Sequence, residues 1–226
     1  MARDAGAAAA SGPEPVRVVR FAGDRMLWHS ARMSRPAGHP TEARARVLAE
    51  AALGRPAAPF RELPPRLLVV DVERQRSSLL ESGLEAAAWT VSTAAAGVGG
   101  EDDSYRTPPG WHRVHARIGA GAPSGAVFKG RLPTGEVWRG EPRADDLILT
   151  RILTLEGLED GVNRGPGHDS LARYIYIHGT NHEGALGRPV SHGCVRMANA
   201  DMIDLFERLR VGDPVVILDR EPAPLA

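Results

Sequence analysis

Cysteine is nearly absent from this sequence: Cys194 is the only one among 226 residues. No internal disulfide can form, so cystine usage says nothing about compartment. Any thiol chemistry must rest on that one residue. Aromatic side chains are also scarce, with four Trp, three Tyr and four Phe, which leaves Val, Leu, Ile and Ala to fill a core. Neither sign of charge is in excess. The 28 basic and 28 acidic residues cancel, so no global field draws in nucleic acid or an anionic membrane. No apolar run approaches the roughly 18–20 residues of a spanning helix. The opening MARDAGAAAASGPEP makes no recognisable signal peptide, because its alanine run is too short and too weakly apolar.

What remains is an ordinary globular balance, 42% apolar and 25% charged. The length suits one domain with extensions. Residues 1–15 are rich in Ala, Gly and Pro and are expected to be disordered; 16–21 fit a short strand. Residues 41–53 (TEARARVLAEAAL) are rich in helix formers, with Thr41 as N-cap and Gly54 as stop. Residues 55–65 carry four prolines and read as a linker. The division expected is an N-terminal extension 1–65 with a possible short helix, a catalytic-type domain 66–219 and a tail 220–226.

From residue 66 the pattern becomes β. Strands are expected over 67–72 (LLVVDV), 77–81, 88–93, 111–118, 126–132, 147–155, 174–177 and 215–218, with a long polar loop over 157–170. One helix is well signalled. Asn199 is a fair N-cap, Asp201 and Asp204 suit the positive end of the dipole, and Met202, Leu205, Phe206 and Leu209 recur at helical spacing. Gly212 and Pro214 end it. The expected fold is mainly β, mostly antiparallel, with one packing helix.

The chain is organised around residues 174–197, YIYIHGTNHEGALGRPVSHGCVRM. This stretch holds the single cysteine and three of the eight histidines: His178, His182 and His192. His178 stands at the end of an expected strand. Cys194 follows it by 16 residues, enough for a loop to bring two element ends together. A thiol with an imidazole so mounted suggests a nucleophile and its base. Gly193 permits a tight turn and helps aim peptide N–H groups at an oxyanion; Arg196 suits a substrate carboxylate. Two other readings stand beside this one. A lone cysteine is commonly a small buried hydrophobe, and the His/Cys cluster could ligate zinc. Against a His178/His182 metal pair, the glycines around them disfavour the helix that an i, i+4 spacing needs. His182 is expected to be a solvated loop residue, and His168 is near enough in sequence to line the site.

The run Ile177-His178-Gly179-Thr180, then Ser191-His192-Gly193-Cys194-Val195-Arg196-Met197, resembles the active-site signature of the L,D-transpeptidase catalytic domain. Thr107-Pro108-Pro109-Gly110 resembles that family's Thr-Pro-x-Gly segment, 67–80 its first hairpin, and 199–218 its closing helix and strand. The resemblance covers roughly residues 66–219. Two positions further on than that Gly, an aromatic or Thr is usual; here it is His112. The resemblance implies a β-rich domain of mixed sheets, peptidoglycan stem peptides as partners, a periplasmic or cell-envelope location, and no metal or organic cofactor. It implies Cys194 as nucleophile, His178 as base, the Gly179 carbonyl as its orienter, and N–H groups around Gly193 and Cys194 as oxyanion hole. Thr180, Ser191, His192 and Arg196 are then expected on the substrate side. The expected reaction is transfer of a tetrapeptide acyl group to an amine, with release of D-alanine. Hydrolysis of the same bond by an L,D-carboxypeptidase, or a non-catalytic zinc- or wall-binding module, are the alternatives.

Overall fold

In a computed structural model the described residues are 40–219. The expected strand over 16–21, the Ala/Gly/Pro-rich start and the tail 220–226 lie outside them.

The run LLVVDV shows no polar alternation, which requires cover on both faces of its strand. The structure supplies it. Strand β1 (Arg66–Asp71) sends Leu68 and Val70 into one core and Leu67 and Val69 into another. The second core lies under helix α1 (Pro40–Leu53), whose Ala45, Leu48, Ala49 and Ala52 recur on one face. Alanines along that face let the helix axis approach the sheet closely. Trp111 fills the remaining space, donates its indole N–H to the Ala52 carbonyl at 3.0 Å and packs on Phe60, ring centres 5.0 Å apart. The helix in the extension is therefore part of the packed structure, so two helices cover the sheet where the pattern from 66 onward gave one.

Strands β2 (Arg76–Glu81), β3 (Leu84–Ser92), β4 (Gly110–Ile118), β5 (Ala126–Lys129), β6 (Leu132–Val137), β7 (Ile148–Gly157), β8 (Tyr176–Gly179), β9 (Val195–Met197) and β10 (Pro214–Leu218) complete one sheet. Its order is β4-β10-β1-β2-β3-β9-β8-β7-β5-β6, and an added β4–β7 pairing closes eight strands into a barrel with the β5–β6 hairpin appended. The β1–β10 and β8–β9 pairs are parallel and the rest antiparallel. Helix α2 (Asn199–Arg208) adds Met202, Leu205 and Phe206 to the core formed by Leu68, Val91, Leu153, Ile177 and Val215.

Three sequence expectations change. The single strand expected over 126–132 is a hairpin, because Gly130 turns the chain at φ +62°. Strand β9 went unread because only three residues pair. Asn199 is not the N-cap of α2: Ala198 holds that place, without a side-chain cap. The helix start is capped instead by Glu183, from a 3₁₀ turn (Glu183–Ala185), whose carboxylate accepts the Asn199 main-chain N–H at 2.7 Å.

Candidate active site

The site follows from strand periodicity. Ile177 pairs with Val195 and His178 with Arg196 across the parallel β8–β9 ladder. Ile177, Val195 and Met197 point into the barrel core. Side chains alternate along a strand, so Tyr176 and His178 project from the opposite face, as do Cys194 and Arg196. There Cys194 packs against a small apolar group of Ala126, Phe128, Ile152 and Tyr176. The crossover between the two strands, residues 180–194, thus brings the thiol and the imidazole to one face from 16 residues apart.

His178 is buried, and its Nδ1–H donates to the Gly179 carbonyl at 2.7 Å. With the proton held on Nδ1, Nε2 is left as the acceptor. The small size of Gly179 is required: a Cβ there would lie 2.4 Å from Asn199 Oδ1 and 2.9 Å from the Leu149 carbonyl. Asn199 in turn donates to the Thr180 carbonyl at 3.0 Å and to Glu183 at 2.7 Å, and its Oδ1 meets Thr150 Oγ1. Thr150, at φ +71°, sits in a β-bulge of β7 opposite the His178–Gly179 pair. Bulges of this kind re-aim neighbouring side chains.

The nucleophile turn is clamped from two sides. Ser191 Oγ donates to the Cys194 carbonyl at 2.6 Å and accepts the Gly193 N–H at 3.2 Å. Ser191 is also tied by its main chain to Thr93 and Ala95, at 2.9 and 3.0 Å. Thr107 Oγ1 donates to the Gly193 carbonyl at 2.9 Å and accepts the Ala94 N–H at 3.0 Å. Gly193, at φ +135°, has Ile175 and the Arg106 carbonyl against it, 3.1 and 3.3 Å from where a Cβ would stand.

Desolvation acts against the charged form of both groups. Burial pushes the Cys194 thiol up to about 11, with the Asp146 carboxylate adding to the rise. Burial also pushes His178 down to about 4 against opposing pulls from the Gly179 carbonyl and Asp146. Both shifts run in the direction that favours thiol and imidazole over thiolate and imidazolium.

Arg196 is buried and ion-paired with Asp146, which also accepts from His192 Nδ1 at 3.4 Å. Arg196 Nε has no hydrogen-bond partner. His192 itself is exposed, edge-on to Tyr105 at 6.2 Å, and lines an open cleft of about 350 Å³ beside the turn with Asp102, Asp103, Arg173 and Ile175. Thr180 is buried and its Oγ1 accepts the His182 N–H at 3.1 Å. His182 Nε2 meets the Asp145 carbonyl at 3.1 Å, away from the thiol–imidazole pair. His168 lies against Gly100 on the long loop. Among the described residues, no group of three or more His, Cys, Asp or Glu is placed to hold a metal ion.

Sequence reasoning missed Thr107, Asp146, Asn199 and Glu183 as supports of this site. Thr107 carried a signal, since it opens the Thr-Pro-Pro-Gly run. Asp146 carried none. His112, the departure from that run's usual continuation, is buried on β4 with Nε2 at 2.9 Å from Ser170 Oγ and Nδ1 at 3.0 Å from the Gly110 carbonyl.

Comparison with known proteins gives the wider frame. A protein of Bacillus subtilis (strain 168) named as an L,D-transpeptidase, YkuD, is 28% identical over 157 residues, 66% of this chain and 90% of that protein. YqjB of the same strain, also so named, is 49% identical over 47 residues, 21% of this chain and 27% of its own length. YbiS of Escherichia coli (strain K12) is 47% identical over 49 residues, 22% and 16% of the two chains. The match thus spans well under two thirds of YqjB and YbiS. Among solved structures, an L,D-transpeptidase from Mycobacterium smegmatis aligns at 18% identity and a TM-score of 0.41, covering 68% of this chain and 58% of that one. An Enterococcus faecium L,D-transpeptidase aligns at 15% and 0.42, covering 69% and 50%. The model of the L,D-transpeptidase catalytic domain, YkuD, matches residues 65–217. With more than half of its length matched by that domain, the chain belongs to the L,D-transpeptidase catalytic-domain family.

Proposed function

We propose that this protein is a cysteine L,D-transpeptidase acting on peptidoglycan stem peptides through a thioester on Cys194. The observation that carries the reading is the placement of Cys194 and His178 on one face of two paired strands, with His178 Nε2 left as an acceptor by the Nδ1–Gly179 bond. Residues 66–219 are the catalytic domain in this reading, with 1–65 as its extension and 220–226 as a tail.

The chemistry runs in two halves. Cys194 Sγ attacks the carbonyl carbon of the third stem residue while His178 Nε2 takes the thiol proton. The bond to the terminal D-alanine breaks, and His178 returns that proton to the departing amine. An amine of a second stem then attacks the thioester, gives a proton to His178, and the sulfur leaves and is reprotonated. Because both shifts favour the neutral forms, the proton transfer and the attack are coupled, and no preformed thiolate is needed. Gly179 orients the imidazole in the place that a carboxylate takes in other triads. The Gly193 N–H is engaged by Ser191, so the Cys194 N–H is the principal oxyanion donor and Gly193 serves it by shaping the turn. Ser191 fixes that turn, Thr180 fixes the crossover behind His178, and His192 lines the cleft. Arg196, buried and paired with Asp146, holds the positive charge on the substrate side of the turn.

Intact-protein mass after incubation with imipenem, the compound held by the solved L,D-transpeptidase LdtMt1, tests the nucleophile. A one-to-one adduct is expected on the wild type and none on Cys194→Ala; His178→Ala should slow acylation by roughly 10²–10⁴. Acylation of the Cys194→Ala protein would remove the mechanism. Tetrapeptide donor supplied with and without an acceptor amine then separates transfer from hydrolysis.

A further inference from the structure

The Cys194 thiol does not point its hydrogen bond at His178. It donates to the main-chain carbonyl of Tyr174, at 3.5 Å. Tyr174 is held at φ +59°, a left-handed conformation that costs a bulky side chain and that glycine adopts freely. Something must hold it there. Within the chain, Tyr174 N–H donates to Leu171 O at 3.3 Å and Ile175 N–H to Ser170 O at 3.0 Å. From outside, Arg131, in the turn between β5 and β6, grips the same segment three ways. Its Nη2 donates to the Leu171 carbonyl at 2.7 Å and its Nε to the Tyr176 hydroxyl at 3.1 Å. Its guanidinium lies 4.7 Å over the Tyr174 ring, and the two tyrosine rings meet edge-to-face at 6.2 Å. Core packing does not require this arrangement, since Tyr174 is 56% exposed. One guanidinium thus fixes both flanks of the carbonyl that receives the thiol.

Resting on the proposed role of Cys194, we propose that Arg131 and Tyr174 are positioning residues that park the resting thiol on the Tyr174 carbonyl. Activation then consists of turning Sγ from Tyr174 O to His178 Nε2. A carbonyl oxygen accepts S–H but repels S⁻, so the Tyr174 contact favours the protonated sulfur, against a main-chain hydrogen bond from Tyr176 that favours the thiolate. The charged and titratable groups that face Cys194 are Asp146 from the β6–β7 loop, Arg196 on β9, Arg173 ahead of β8, and His178 and Tyr176 on β8. Substitution at Tyr174 leaves all of them in place, and substitution at Arg131 frees only the Tyr176 hydroxyl from its guanidinium partner.

The test is the rate of iodoacetamide alkylation against pH, read by intact mass on the single cysteine, in wild type, Tyr174→Gly, Arg131→Ala and Arg131→Lys. Tyr174→Gly suits the left-handed backbone and so retains the fold, while freeing the segment from the ring clamp. In Tyr174→Gly and Arg131→Ala the midpoint should move to lower pH, each unit raising alkylation at neutral pH about tenfold. Arg131→Lys keeps the charge but not the fork, and should behave like Arg131→Ala. Simple loss of a nearby cation would move the midpoint the other way, so the sign decides. A midpoint unchanged or raised in both Tyr174→Gly and Arg131→Ala overturns the proposal. Alkylation needs no peptide, so it fails or stands apart from the transpeptidase reading. Normal acylation with unmoved midpoints removes only the parking role, whereas moved midpoints in a protein that imipenem does not acylate remove only the enzyme reading.

Discussion

Among the described residues two strand pairs run parallel, β1–β10 and β8–β9, and they are used oppositely. In the first, both faces are apolar: Leu68, Val70, Val215 and Ile217 turn inward, while Leu67, Val69, Val216 and Leu218 meet α1 and its surroundings. In the second, only the inward face is apolar. The other face carries Tyr176, His178, Cys194 and Arg196, with no long helix above it. Ala126 and Phe128 of β5 pack against Cys194 there, and the buried His178 and Arg196 and the half-buried Cys194 share that face with a cleft lined by His192 beside it. The same backbone ladder is thus a structural wall where a helix covers it and a reaction surface where none does.

The difference is sharpest when each side is damaged alone. Leu48→Ala empties the core between α1 and β1–β10 and should cost about 2–5 kcal/mol in urea unfolding, while the alkylation rate of Cys194 in the remaining folded protein stays unchanged. A changed thiol rate would mean that the two faces are coupled.

Acid separates the regions next. Burial holds both His178 in the site and His112 on β4 down to about 4, against 6.5 for a free imidazole. The unfolded chain takes up protons that the folded one refuses. Stability from this source is complete above pH 6.5 and falls as pH drops from 6.5 toward 4, by up to about 3 kcal/mol per histidine. His112→Gln should roughly halve that acid-dependent loss in unfolding titrations at several pH values, whatever its own cost at neutral pH. An undiminished loss would show that His112 is not one of the groups responsible. Cys194 acts at the other end: its thiol, raised from 9.0 to about 11, contributes stability below pH 9 that is lost as pH rises toward 11.

Smaller effects belong to the site's rim. Asp146→Asn leaves the buried Arg196 without its counter-charge, for about 1–2 kcal/mol of stability, less than a fully buried pair because Asp146 is partly exposed. Asp146 raises both the thiol and the imidazole values, so both should fall, measured as a lower alkylation midpoint for Cys194. His182→Ala should change stability and imipenem acylation least, within about 0.5 kcal/mol; a large loss of acylation would bring His182 into the site after all.

Much of this was legible from residue order. The strand at 67–72 was readable as a short apolar, β-branched run and the α2 face by its helical spacing. The hairpin at β5–β6 was not, since Pro133 and Gly135 break the alternation that marks a strand. The Asn199 cap was misread because its side chain is spent on Thr180 and Glu183, a use that no local pattern reveals.

By itself the sequence determined the reactive types and their order: one cysteine, a histidine 16 residues before it, glycines at 179 and 193, and apolar residues between strand-like positions. Those are local facts of side-chain chemistry and strand period. Only the tertiary structure decided that β8 and β9 pair in parallel register, that Asp146 reaches Arg196 across 50 residues, and that the resting thiol meets Tyr174 O. Each of these depends on which distant segments the closed sheet makes neighbours, and that is settled by packing the whole core rather than by any stretch of it.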